Sequence, residues 1–234
     1  MRIILLILLP PIIIFVLALT MILAPLPHPF PEAQSPERNR MAAITTGILG
    51  AAYLVGLTVY VVSWFLQVGQ ALDSTLVPLG LTSEGYMGFG RQYHGEIKGR
   101  QVDVTYQPAQ VIKPSLLNVY VSASAGTQAA LGPGKPLLDC RDCPEVDVEA
   151  LGLGQLHVAA QDEAWTRRLL ADPANAVAVN RLLGDQEMLG LRELYIQPNR
   201  IWLRAHPKQI TEDHIQHWLD DLLILAEAVE ANTP

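Results

Sequence analysis

The sequence predicts a membrane-anchored α+β protein, in which an N-terminal two-helix transmembrane hairpin precedes a mainly antiparallel sheet with helices on one face. Three observations lead to this fold class. Two long uncharged runs open the chain, alternating apolar residues follow, and segments with helical periodicity come later. We therefore divide the chain into a transmembrane hairpin (1–72), a linker (73–84) and a soluble acidic α+β domain (85–234).

The two uncharged runs are the first predicted elements. Residues 3–26 and 41–72 contain no Asp, Glu, Lys or Arg, and each run exceeds the roughly 20 residues that cross a bilayer as a helix. We expect transmembrane helices at about 3–26 and 41–67. The first run is longer than the apolar core of a signal peptide, roughly 7–15 residues, which favours an uncleaved anchor.

Small residues mark one side of the second predicted helix. Because such residues let two helices approach closely in lipid, we expect a helix-packing site there. The partner is either the first helix of the same chain, or a second copy or another membrane protein. The residues concerned are Ala43, Gly47, Ala51, Ala52 and Gly56.

The basic residues near the predicted helices indicate on which side of the membrane the C-terminal domain lies. Arg38 and Arg40 precede the second run, and the next Lys or Arg after it is Arg91. The positive-inside rule then places the C-terminal domain outside, although Arg2 opposes this for the first helix. We expect an integral protein of the bacterial plasma membrane with an extracytoplasmic domain, whose partners are the lipid bilayer and another membrane protein or itself.

The acidic domain begins with segments that are typical of strands. Apolar residues alternate in most of them, as in a strand with one buried face, and Pro198-Asn199 predicts a hairpin between the last two. The predicted strands lie at 86–93, 101–107, 116–124, 153–161, 191–197 and 200–206.

Three segments of this domain have helical periodicity. Asp162 is a plausible N-cap for a helix that ends before Pro173, and residues 174–184 form a second short helix. Thr211 can cap a final helix. Its apolar face is formed by Ile215, Trp218, Leu219, Leu222, Ala226 and Val229.

Composition excludes several functions. The net charge is −7, and an acidic domain without a basic stripe argues against nucleic-acid binding. The sequence contains no G-x-S-x-G, phosphate-loop, dinucleotide-binding, H-E-x-x-H or EF-hand pattern. We therefore predict no catalytic residue and no cofactor.

Cys140 and Cys143 are the only cysteines and form one C-x-x-C motif. A structural zinc site needs four ligands, and the nearest second pair, His214 and His217, is spaced at i, i+3. A redox dithiol needs a helix after its first cysteine, whereas Pro144 and alternating valines follow. These thiols are low-ranked metal ligands, and the favoured alternatives are a structural disulfide and two neutral thiols.

The last predicted hairpin combines charged and apolar positions. We interpret its polar residues as the solvated face of a sheet, with a small anion- or partner-binding surface as the alternative. Glu193, Arg192, Arg200 and Arg204 alternate with Leu194, Tyr195, Ile196, Trp202 and Leu203.

Three segments, GEIKGRQVDVTY, LHVAAQDEAWTRRLLADP and LYIQPNRIWLRAHP, together with a final helix rich in Trp and Leu, give the chain a family resemblance. It resembles uncharacterised bacterial membrane proteins with two N-terminal helices and a C-terminal domain of unknown function. The resemblance implies the same architecture and no catalytic residues.

The leading functional hypothesis is a non-catalytic, membrane-anchored interaction or accessory subunit of a larger membrane assembly. One alternative is a membrane-tethered domain that senses a small molecule between the sheet and the final helix. The last is thiol or metal chemistry at Cys140 and Cys143.

Overall fold

The computed structural model describes residues 36–86, 90–109, 113–134, 140, 142–184, 190–207 and 210–232. The chain divides into two compact units, residues 1–66 and 67–234. Helix α1 spans Pro36–Leu76.

The second unit contains the sheet and the remaining helices. The strands are β1 (Thr82–Tyr86), β2 (Gly90–Ile97), β3 (Arg100–Gln107), β4 (Leu116–Ser122), β5 (Ala129–Gly132), β6 (His157–Ala160), β7 (Arg192–Gln197) and β8 (Arg200–Ala205). The helices are α2 (Glu163–Ala171), α3 (Pro173–Leu183) and α4 (Glu212–Ala231), and a short 3₁₀ turn spans Glu149–Leu151.

The strands form one eight-stranded sheet in the order β1-β2-β3-β4-β8-β7-β5-β6. Every named pair is antiparallel, so the prediction of a mainly antiparallel sheet agrees with the structure. The first four strands follow chain order. The late hairpin β7–β8 then inserts between β4 and β5, which brings residues about 80 positions apart into register.

One face of the sheet is apolar and buried. Val104, Val119 and Leu203 are neighbours in register across β3, β4 and β8, and each is at most 3% exposed. Helix α4 packs on β4 and β8 and buries Leu219 and Leu222. The alternation of these strands thus places their apolar set against a helix layer.

The helices begin where their capping residues predict. The Asp162 side chain accepts a hydrogen bond from the backbone N–H of Trp165, and Asp172 accepts one from Ala174 with Pro173 in the first turn. Thr211 accepts one from the N–H of His214. The predicted caps Asp162 and Thr211 are confirmed, because each satisfies a donor that the helix leaves unpaired.

The last turns of α1 belong to the sheet unit. Leu72 and Leu76 are completely buried. Between them, the Asp73 carboxylate accepts hydrogen bonds from the Tyr93 hydroxyl at 2.6 Å and from the Ser83 hydroxyl at 3.1 Å. Burial, followed by this contact with Asp73, raises the pKa of Tyr93. The end of α1 is therefore fixed to β1 and β2.

The predicted fold class, with its two-helix transmembrane hairpin, is wrong. Among the described residues no helix combines the length and apolar character that crossing a bilayer requires, and the first expected helix, 3–26, lies outside them. The second uncharged run belongs to α1, whose end at Leu72 and Leu76 packs in the sheet unit. The prediction rested on the absence of charges, which does not by itself decide what surrounds a helix: Leu72 and Leu76 are completely buried within the protein, whereas Ile48 is 63% exposed.

Two strands were missed, and one expected segment is divided. The predicted linker 73–84 contains the end of α1 and the start of β1, and β5 was not foreseen. The expected strand 86–93 is divided between the end of β1 and β2. Neither Thr82–Tyr86 nor Ala129–Gly132 has the alternating apolar pattern on which strand prediction depends.

Candidate functional site

The sheet face opposite α4 carries polar and aromatic side chains. Along it, Asp103, Tyr120 and Trp202 are neighbours in register across β3, β4 and β8. We call the exposed and partly exposed part of this surface the open face. On β2, β3, β4 and β8 it comprises Gln92, His94, Glu96, Gln101, Asp103, Thr105, Gln107, Leu116, Tyr120, Ser122, Arg200, Trp202 and Arg204.

Three stacked rings, those of Tyr120, Trp202 and Tyr195, cross the middle of this face, and we call them the aromatic ladder. The Trp202 ring stacks on Tyr120 with ring centroids 5.5 Å apart and on Tyr195 with centroids 4.7 Å apart. Since β8 lies between β4 and β7, the two tyrosines cover opposite faces of the indole. The guanidinium of Arg200 lies 4.9 Å from the centre of the Tyr120 ring, a cation–π contact.

Hydrogen bonds hold the ladder in place from below. The Trp202 indole N–H donates to Oδ1 of Asn118 at 3.1 Å, and the Asn118 amide donates to the Thr105 hydroxyl at 3.2 Å. Because Asn118 is only 7% exposed, this network orients the indole from within the protein. The rigid orientation lowers the entropy that binding would cost.

Glu193 and Arg204 lie beside Tyr195, at the other end of the ladder. The Tyr195 hydroxyl donates to Glu193 Oε2 at 3.0 Å, and Arg204 pairs with the same oxygen at 3.4 Å. Burial and the neighbouring Glu193 carboxylate raise the pKa of Tyr195. Tyr195 therefore keeps its proton and serves as a hydrogen-bond donor.

The cysteine motif packs against Tyr195, the buried end of the aromatic ladder. The structure joins Cys140 and Cys143 in a disulfide, and the Cys143 N–H donates to the Cys140 carbonyl at 3.2 Å. Cys140 is buried against Ala130 and Tyr195, and Cys143 packs on the same cluster, as does Trp202. The motif thus fills a structural position beside the open face.

A buried arginine lies on the opposite face of the sheet. Arg192 is 0% exposed and donates to the carbonyls of Arg181 and Gly184 at the C-terminal end of α3. Its guanidinium lies 5.6 Å from the centre of the Trp218 ring. The interpretation that placed Arg192 with Glu193 on a solvated face is therefore wrong, since adjacent strand residues point to opposite faces.

A second buried charged residue lies on α4. Asp221 is 2% exposed and pairs with Arg181. Burial raises the pKa of Asp221, and Arg181 opposes that rise. Asp221 and Arg181 connect α4 to α3, so this pair belongs to the helix layer.

The histidines and cysteines singled out from sequence lie at separate places among the described residues. No group of three metal-binding side chains occurs within the described ranges. His214 stacks on Trp218 in α4, at 6.1 Å between ring centroids. Cys140 and Cys143 are joined in the disulfide, and thiol or metal chemistry at this pair stays a prediction.

The helix-packing residues lie on α1. Gly47 and Gly56 have nothing within 4 Å of an added Cβ, and Ala51 and Ala52 are exposed. The Ala43 side chain is outside the described set. A packing role for this stripe stays a prediction.

Comparison with known proteins adds evidence on the fold. No family model matches the chain, and no curated protein matches it. The crystal structure of the mycobacterial trehalose monomycolate transport factor A, TtfA, is similar, with a TM-score of 0.50 and 12% sequence identity. The similarity covers 71% of this chain and 96% of that chain. At this identity the likeness shows a shared fold.

Proposed function

We propose that this chain is a non-catalytic interaction or accessory subunit of a larger assembly at a membrane, and that it docks through the open face. The aromatic ladder carries this proposal. Trp, Tyr and Arg are the residues that most often dominate binding energy at protein interfaces. Here Trp202, Tyr120 and Arg200 lie together on an exposed face and are held in place by buried neighbours.

The ladder suits a protein partner better than a small ligand. A flat or sugar-like molecule would stack on an aromatic ring, but both faces of Trp202 are covered by Tyr120 and Tyr195. What the ladder presents outward are ring edges and polar groups. In the space between the sheet and the final helix, which the sensing hypothesis requires, α4 buries Leu219 and Leu222.

Two further observations support an accessory role at a membrane. The protein of similar fold is, by its name, a transport factor. In addition, α1 carries apolar side chains that are at least half exposed, and a surface of this kind calls for cover by lipid or protein. They are Ile44, Ile48, Leu49, Leu54, Val55, Val59 and Tyr60.

The Tyr120→Ala protein is expected to lose its co-purifying partners. The substitution removes one end of the ladder and the ring on which Arg200 rests. A hot-spot aromatic contributes about 2 kcal/mol or more, so recovery of partners should fall at least about tenfold. The measurement is affinity purification of the full-length protein from its membrane fraction, with quantitative mass spectrometry.

Val177→Ala provides the matched control, because Val177 is an exposed apolar residue on α3. It should retain the partners. Equal recovery with both variants, at unchanged melting temperature, would show that the open face is not the docking surface.

A further inference from the structure

The open face has an uneven distribution of charge. Its basic side chains, Arg200 and Arg204, lie on β8 and flank Trp202. Its acidic side chains, Glu96 on β2 and Asp103 on β3, lie on the other side of β4. Asp103 and Arg200 are exposed, and neither forms an ion pair within the described part of the chain. Arg200 instead donates to Gln197.

The register of the strands makes this surface complementary to itself. Consider two sheets packed face to face about a twofold axis that runs parallel to β4. The axis places β3 of one copy against β8 of the other. Because Asp103 and Trp202 lie in one row, Asp103 then lies opposite Trp202 of the second copy, and Arg200 and Arg204 of that copy flank it two residues away on either side along β8. Symmetry forms the same contact twice.

We propose that the open face binds a second copy of this chain, with Tyr120 near the twofold axis and Asp103 facing Arg200 and Arg204. The proposal rests on the proposed function, since it names the occupant of the same surface. A single pattern of charges satisfies both partners, so no other protein with a reversed pattern is required. Each copy covers the ladder edges of the other.

The size of the surface predicts a weak contact. The open face spans four strands, roughly 19 Å across at about 4.8 Å per strand, and roughly 17 Å along them. Its area is thus below the roughly 800 Å² per partner of stable complexes. The dimer should form reversibly with rising concentration, and because its ion pairs lie at a surface, added salt should weaken it.

A charge exchange tests the proposal. Full-length protein in detergent is measured by sedimentation velocity over a concentration series. Asp103→Arg and Arg200→Asp should each raise the dimer dissociation constant at least about tenfold through like-charge repulsion. The double variant D103R/R200D restores the opposite pairing, so its dissociation constant should return to within a few-fold of the original.

Arg168→Asp is the matched control, because Arg168 is an exposed arginine on α2, and it should leave the dimer unchanged. Circular dichroism confirms that each variant is folded. A double variant no better than the worse single variant would overturn the proposal, as would single variants that dimerise normally. Loss of partners with Tyr120→Ala alongside unaltered dimers would retain the docking function and reject the second copy as its occupant.

Discussion

The Arg192→Ala protein is expected to lose about 4 kcal/mol of unfolding free energy, because the substitution removes a buried donor and leaves a cavity. Arg192 is completely buried and donates to the carbonyls of Arg181 and Gly184, which end α3. Those carbonyls have no partner within the helix, and a cation near them also interacts favourably with the helix dipole. Urea unfolding of the full-length protein, followed by circular dichroism, measures the loss.

Two further variants separate the causes. Arg192→Met retains most of the volume but cannot donate, so it should lose about half as much. Arg168→Ala removes an exposed arginine from α2 and should change stability by less than about 0.5 kcal/mol. If Arg192→Ala is as stable as Arg168→Ala, the buried arginine does not hold α3 against the sheet.

The Gly90→Ala protein is expected to lose about 3 kcal/mol of unfolding free energy, because its methyl group would enter backbone atoms. An added Cβ at Gly90 would overlap the Tyr86 carbonyl oxygen and lie 2.6 Å from the Tyr106 carbonyl oxygen. Both oxygens belong to flanking strands and cannot rotate away as a side chain would. The start of β2 must therefore shift, which disturbs its pairing with β1 and β3.

Gly85→Ala is the matched control in the neighbouring strand. An added Cβ at Gly85 meets nothing within 4 Å, so its effect should stay within about 0.5 kcal/mol. The same urea titration measures both proteins. Equal stability of the two variants would mean that β1 and β2 accommodate the methyl group, contrary to the close approach at Gly90.

Capping residues and apolar alternation predicted those helices and strands whose formation depends on residues close together in the sequence. Asp162 and Thr211 indicate where helices begin, because their side chains accept hydrogen bonds from nearby backbone N–H groups. Alternation over residues 101–107 and 200–206 predicts strands with one buried face. The end of α1 was missed because Gln67, Asp73 and their polar neighbours resemble a linker.

The open face was only partly predictable. Alternation along 191–206 indicated a polar surface, and a partner-binding role was one interpretation of it. The aromatic ladder, however, joins Tyr120 to Trp202, and that neighbour relation depends on β8 lying beside β4. Strand order is set by long-range packing, on which a single sequence carries little information.

If the open face is a docking surface, site-specific photocrosslinking in living cells should capture its occupant directly. A benzophenone amino acid replaces Gln101 on the open face, and the same amino acid replaces Val177 on α3 as the control. Both positions are exposed. We predict covalent adducts from position 101 and none from position 177, with an adduct of twice the chain mass if the occupant is a second copy. Adducts from position 177 alone would contradict the claim and move the docking surface to the helix layer.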